Sequence, residues 1–230
     1  MSGNPRLSWR RRRDGKRIMW RSWIHFWAEW WRDFQHTGAI APSSRFLARA
    51  MTAILRQPRP PWRIVEVGPG TGAITAWILP ALQAGDRLDL VEINPRFVEF
   101  LQVRFARESL FRQYLEQVYL HPVPIQEFQP EQPADCIISG LPLNNFSAAT
   151  VREILDHMER LLRPGGWLVY FEYLWIRQLK MPFVGKHERR RLYCIGRWTE
   201  KFFQRHQETR QLVWCNLPPA IVHTIQIKPS

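Results

Sequence analysis

Between residues 63 and 172, short apolar runs alternate with stretches of helical periodicity. Arg63–Val67, Arg87–Glu92, Asp135–Ser139 and Trp167–Glu172 are rich in Val, Ile and Leu and too short for buried helices. They read as strands, with Val118–Pro122 a shorter one. Between them the residues following a glycine turn to about Ala84, Pro95–Glu108 (opened by a first-turn proline) and Ser147–Leu162 read as helices. Leu212–Cys215 and Ile221–Ile227 read as closing strands, and 186–206 as a basic helix. This alternation predicts an α/β fold: a seven-stranded, mostly parallel sheet covered on both faces by helices.

Residues 17–35 carry a different pattern. On a helical wheel Trp20, Trp23, Ile24, Phe26, Trp27, Trp30, Trp31 and Phe34 fall within an arc of roughly 160°. Arg17, Arg21, Arg32 and Glu29 fill the opposite side. An interfacial helix needs this composition, since indoles favour the headgroup region and arginines meet anionic lipid. The competing reading is a helix packed on its own core or on a second copy. After it come the turn Thr37–Ser44, a helix to about Leu55 and a stiff linker, Gln57-Pro58-Arg59-Pro60-Pro61. The chain thus divides into 1–45, a basic tail, amphipathic helix and turn, and 46–230, an α/β domain with a basic insert at 177–210.

Charge sharpens this division. The formal net charge is +13. Residues 1–36 hold nine Lys/Arg against three Asp/Glu, and 177–210 hold ten against three. The remaining residues hold 14 of each sign. An excess confined to two segments fits a polyanionic partner, a membrane face or nucleic acid, or else a solubilising role. No apolar run reaches the roughly 20 residues that span a bilayer. Three scattered cysteines and no Cys/His cluster suggest reduced thiols and no metal site.

The candidate chemistry lies in Glu66-Val67-Gly68-Pro69-Gly70-Thr71-Gly72, a glycine bend between a predicted strand and a predicted helix. Glycines let a backbone approach a ligand, and helix-start N–H groups face it. A second strand ends at Glu92, followed by Ile93, where a carboxylate can accept two ribose hydroxyls. NAD is the alternative ligand, but its bend is spaced Gly-x-Gly-x-x-Gly, whereas this one is Gly-x-Gly-x-Gly.

Here the chain resembles the Rossmann-like class I methyltransferases that use S-adenosylmethionine (SAM) and release S-adenosylhomocysteine. Glu66–Gly72 matches their first motif, Glu92 their second-strand acid, and Leu161-Leu162-Arg163-Pro164-Gly165-Gly166 their turn before strand five. The resemblance spans about residues 45–230. It implies that Ile125 and Gln126 stand where the family often has an acid facing the adenine. Thr37–Ser44, Ile138–Leu143 (ISGLPL) and Trp214–Ala220 (WCNLPPA) are similar to the bacterial phospholipid N-methyltransferases, which methylate the amine of phosphatidylethanolamine toward phosphatidylcholine.

That resemblance implies a peripheral protein on the inner face of the cell membrane, with lipid amine as substrate and an anionic membrane surface as partner. Ser139, Gly140 and Leu141 would stand beside the reacting methyl, or only shape the pocket. Tyr173 would meet the substrate amine by ring and hydroxyl, or be a core tyrosine. Glu172 would add negative charge, or be a satisfied edge carboxylate. Ser43 and Ser44 would cover the cofactor, cap the next helix, or both. Arg189, Arg190 and Arg191 would grip lipid phosphates, or be a solvated charge run. His121, His157 and His187 receive no role. Two other readings stay open: an RNA N-methyltransferase, since Ser-Gly-Leu-Pro-Leu resembles the Asn-Leu-Pro-Tyr motif of rRNA adenine dimethylases, and a non-catalytic membrane-binding protein on a relict cofactor fold.

Overall fold

The computed structural model describes residues 44–143, 146–174, 202, 204–216 and 218–228. The expected amphipathic helix, Ser43, Arg189–Arg191 and His187 lie outside the described residues. The apolar runs become β1 (Arg63–Val67), β2 (Arg87–Val91), β3 (Val118–His121), β4 (Ala134–Ser139), β5 (Leu162–Tyr173), β6 (Gln207–Val213) and β7 (Ala220–Gln226). They join in one sheet, ordered β3-β2-β1-β4-β5-β7-β6. Pairing is parallel from β3 through β5, and β7 runs against both its neighbours. The expected mostly parallel sheet is therefore present.

Described helices are α1 (Arg45–Met51), α2 (Thr75–Ile78), α3 (Pro95–Arg107), α4 (Ser109–Gln113) and α5 (Ala148–Leu161). Ser44, Asn94 and Ser147 cap α1, α3 and α5 by accepting from N–H groups of the first turn. Strand alternation sends Ile64, Leu88, Leu90, Cys136, Ile138, Val169 and Phe171 to one face. There they meet Leu47 and Met51 of α1, Leu55 after it, and Ile74 and Ile78 at α2. Each large aliphatic side chain fully buried in this way contributes about 1.5–3 kcal/mol.

Two boundaries differ from expectation. The helix expected to reach Ala84 stops at Ile78 and passes into a 3-10 turn at Leu79–Ala81, because Pro80 lacks the N–H that a further helical turn needs. The last strands were expected at Leu212–Cys215 and Ile221–Ile227. The first runs instead over Gln207–Val213, with Trp214 and Cys215 in the turn beyond it. As a sheet edge, β6 has its ladder satisfied by β7 alone and leaves most of its side chains outside, so no apolar alternation marks it. The end of the basic insert, 207–210, is thus strand rather than insert.

Buried carboxylates anchor the amino-terminal side of the sheet where β2 begins. Asp86 accepts from both Arg59 guanidinium nitrogens, at 2.7 and 2.6 Å, and from the N–H groups of Trp62 and Gln83. The proline linker is thereby fastened to the start of β2. Burial alone would raise the Asp86 pKa, but these hydrogen bonds outweigh it and hold the carboxyl below its ordinary value. Asp89 is likewise held low, with Arg63, Arg87 and His121 as partners.

Candidate functional site

The glycine bend lies between β1 and α2, at the carboxyl ends of the parallel strands. Gly68, Gly70 and Gly72 have φ of 69°, 57° and 78°, left-handed values that favour glycine. The bend is tied on three sides. Gly68 N–H donates to the Val91 carbonyl of β2 at 2.9 Å, and Gly72 N–H to the Pro69 carbonyl at 2.8 Å. From α3, Arg104 donates to the Thr71 and Gly72 carbonyls at 2.8 and 3.1 Å, lies over the Phe111 ring, and is held by Glu108. Arg104 is a support that the sequence pattern did not single out.

A Cβ added at Gly70 would meet nothing within 4 Å, so this part of the bend faces open space. At Gly68 an added Cβ would come 2.6 Å from Leu141 Cδ2, and at Gly140 one would come 2.8 Å from the Gly68 carbonyl oxygen. Gly140 N–H also donates to the Val67 carbonyl at 2.8 Å. The bend and the turn after β4 are therefore in van der Waals contact. In that turn Ser139 is fully buried, its Oγ accepts from Leu141 N–H at 3.4 Å, and the Leu141 carbonyl accepts from Leu143 N–H.

Two carboxylates stand under the bend with no cation within ion-pair distance among the described residues. Glu92, 2% exposed, accepts from Gly70 N–H at 3.0 Å and from Asn94 N–H at 2.8 Å. Burial pushes its pKa up to about 7, against the pull of those N–H groups. Glu66 is fully buried, and its Oε2 accepts from the Thr75 hydroxyl at 2.7 Å. Its Oε1 has no hydrogen-bond partner among the described residues. Burial, with some repulsion from Glu92, raises its pKa to about 8. An unsatisfied buried carboxylate oxygen is costly unless a ligand supplies a donor. A ligand bearing an ammonium and hydroxyl groups fits this donor and acceptor set.

The other candidates spread around this centre. Ile93 is half-buried just past Glu92. Ile125 is buried in a 3-10 turn whose first carbonyl, its own, accepts from Phe128 N–H, and Gln126 beside it is half-buried. Ser44 caps α1, and its N–H donates to the Oδ1 of buried Asn216 at 3.2 Å. Two of the sequence motifs, 172 residues apart, therefore touch at Ser44 and Asn216. Tyr173 packs edge-on against Phe171 beside the α1 core, and burial pushes its hydroxyl up to about 12. Ser139 is paired with Tyr170, so alternation along β5 places Tyr170 and Glu172 on the face of Ser139 and Tyr173 on the opposite one. Of the histidines given no role, His121 pairs with Asp89 and His157 lies against the Phe128 carbonyl.

Comparison with known proteins gives the family and the fold. A family described as a methyltransferase domain matches residues 65–168. The ornithine lipid N-methyltransferase of Singulisphaera acidiphila is 32% identical over 140 residues, covering 58% of this chain and 70% of that protein. A hybrid PKS-NRPS synthetase of Aspergillus flavus is 31% identical over 141 residues, 58% of this chain but 3% of that much longer protein. Among solved structures, the N-methyltransferase NodS from Bradyrhizobium japonicum, in complex with S-adenosyl-L-homocysteine, aligns with a TM-score of 0.54 at 18% identity, covering 81% of this chain and 89% of its own. The O-methyltransferase TomG from Streptomyces achromogenes aligns at 0.56 and 16%, covering 83% and 82%. At those identities the structures speak for the fold.

Proposed function

Because the chain belongs to the class I SAM-dependent methyltransferases, of the lipid N-methyltransferase type, we propose that it methylates the headgroup amine of phosphatidylethanolamine and its partly methylated products at the inner face of the cell membrane. Bound SAM supplies an electrophilic methyl carbon on a cationic sulfonium. The chain's part is to hold that cation and to present an amine to it in line. Glu66, with its unsatisfied Oε1, would take the methionyl ammonium. Glu92 would accept from the ribose hydroxyls, and the open backbone at Gly70 would give room beside them. Ser139, Gly140 and Leu141 form the wall toward the acceptor, because their turn packs on the bend itself.

The observation that carries the cofactor half is the pair of buried carboxylates with no cation beside them among the described residues, a setting that favours a positively charged ligand. For the substrate, support comes from the ornithine lipid N-methyltransferase, which matches over 70% of its own length. The membrane half rests on the tryptophan-rich face of 17–35 and on the two basic segments. Labelled SAM supplied with total lipid and total RNA in parallel tests the whole reading. Label is expected in the amine phospholipids, and label confined to RNA would overturn it. Flotation with anionic vesicles is expected for the full chain and not for one lacking residues 1–36.

A further inference from the structure

A second cluster of ionisable groups lies on the face of Ser139, three strands wide. Ser139 is in register with Tyr170, Tyr170 with His223, and His223 with Arg210, so the four form one row across β4, β5, β7 and β6. Neighbouring strands stand about 4.8 Å apart, which puts the Tyr170 and His223 backbones about 5 and 10 Å from that of Ser139. The His223 ring is 2% exposed and stacks on Tyr170, with centroids 4.6 Å apart and planes 6° apart. Its Nδ1 lies 2.5 Å from Glu208 Oε1 and its Nε2 3.2 Å from Glu172 Oε1. Glu208 Oε2 is also paired with Arg210 at 2.8 Å. Glu172, one residue before the end of β5, is the more open of the two carboxylates, 29% exposed against 11% for Glu208.

A neutral imidazole donates from one nitrogen only. With carboxylate oxygens at both nitrogens, the ring has an acceptor for a proton on either side. An amine substrate arrives at neutral pH as an ammonium, which has no lone pair and cannot attack a methyl group. It must first lose a proton, and a buried histidine backed by a carboxylate is suited to hold one.

We propose that Glu172 receives the substrate ammonium and that the Glu172–His223–Glu208 cluster takes its proton. The N–H bond of the ammonium breaks, its electron pair stays on nitrogen as the nucleophile, and the proton passes through the Glu172 carboxylate to Nε2 of His223. Carboxylates at both ring nitrogens hold the proton once it is taken up, and the partly exposed Glu172 returns it to water. Glu172 is the catalytic residue here. His223 and Glu208 are positioning residues, with Tyr170 stacked on the ring and Arg210 fixing Glu208. The inference rests on the amine-methylating reading above.

The test is methyl transfer from SAM to phosphatidylethanolamine vesicles by the full chain, followed from pH 6 to 9.5, with calorimetric SAM binding measured beside it. An alkyl ammonium titrates at about 10.4, so without an acceptor the rate should climb about tenfold per pH unit as free amine accumulates. Glu172→Gln is expected to lower kcat/KM at pH 7 by about tenfold or more, to recover most of it by pH 9.5, and to leave SAM affinity unchanged. His223→Gln should change the pH profile in the same direction, and Glu172→Asp should restore part of the neutral-pH rate. Wild-type kcat/KM at pH 7 in Glu172→Gln, or a loss equal at every pH, would overturn the relay while leaving the amine reading intact. A wild-type enzyme that methylates no amine lipid would overturn both.

Discussion

Two sets of buried carboxylates lie on and beside the neighbouring strands β1 and β2, and the protein treats them in opposite ways. Asp86 and Asp89 are ringed by Arg59, Arg63, Arg87 and His121, and both are held below the ordinary aspartate value. Glu66 and Glu92 are as deeply buried but, among the described residues, receive only hydroxyl and backbone N–H donors, and their pKa values rise to about 8 and about 7. The first set has its countercharge built into the chain. The second has none among the described residues, at the carboxyl ends of the strands where the glycine bend opens. Where countercharge is missing from a buried acid, a cationic ligand is the natural complement.

Breaking the first set should cost the most. Asp86→Ala leaves Arg59, 3% exposed, without its partner and should destabilise the fold by about 3–5 kcal/mol in denaturant titration, with SAM affinity per folded molecule unchanged. Glu92→Ala should do the reverse, weakening SAM binding by about 1–3 kcal/mol in calorimetry with a smaller effect on melting. Equal SAM affinity in that variant would show that another acid holds the ribose. Gly70→Ala meets no neighbour, so its cost is the left-handed backbone, about 1–2 kcal/mol in stability, together with loss of the open space beside Glu92.

The smallest effect is the most diagnostic. The folded chain retains protons on Glu66 and Glu92 that an unfolded chain releases above about 4.5. Their contribution to stability is therefore greatest at low pH and declines as pH rises toward 8. Asp86 and Asp89 act the other way, stabilising above 3.8 and losing that contribution as pH falls. Binding a cation beside Glu66 should expel up to about one proton near pH 7, seen as a dependence of binding heat on buffer ionisation enthalpy. Glu66→Gln should remove that dependence; if it persists, the proton comes from elsewhere.

The bend and Glu92 were legible in the sequence because their jobs restrict the residue type: left-handed φ calls for glycine, and an acid at a strand end stands out in an apolar run. The parallel strands were legible for a similar reason, being buried on both faces. Partners distant in sequence were not. Arg59 reads as one basic residue in a proline linker, and nothing local announces that it meets an aspartate 27 positions on. Arg104 looks like an ordinary exposed helix arginine, although it clamps the bend. His223 sits in an apolar strand, and its glutamates come from two other strands. β6 escaped because an edge strand can form from a polar run once a neighbour supplies the ladder.

The contact between the Gly68 carbonyl and Gly140 has a practical consequence for anyone who wishes to redirect the enzyme. The turn after β4, proposed above as the wall toward the acceptor, is the natural segment to graft from a relative of different specificity. Any graft with a side chain at position 140 would push on the glycine bend, so on the proposed reading the donor loop must bring a glycine there or the recipient is expected to lose SAM along with its old substrate. Selectivity and cofactor affinity in this scaffold will have to be evolved together.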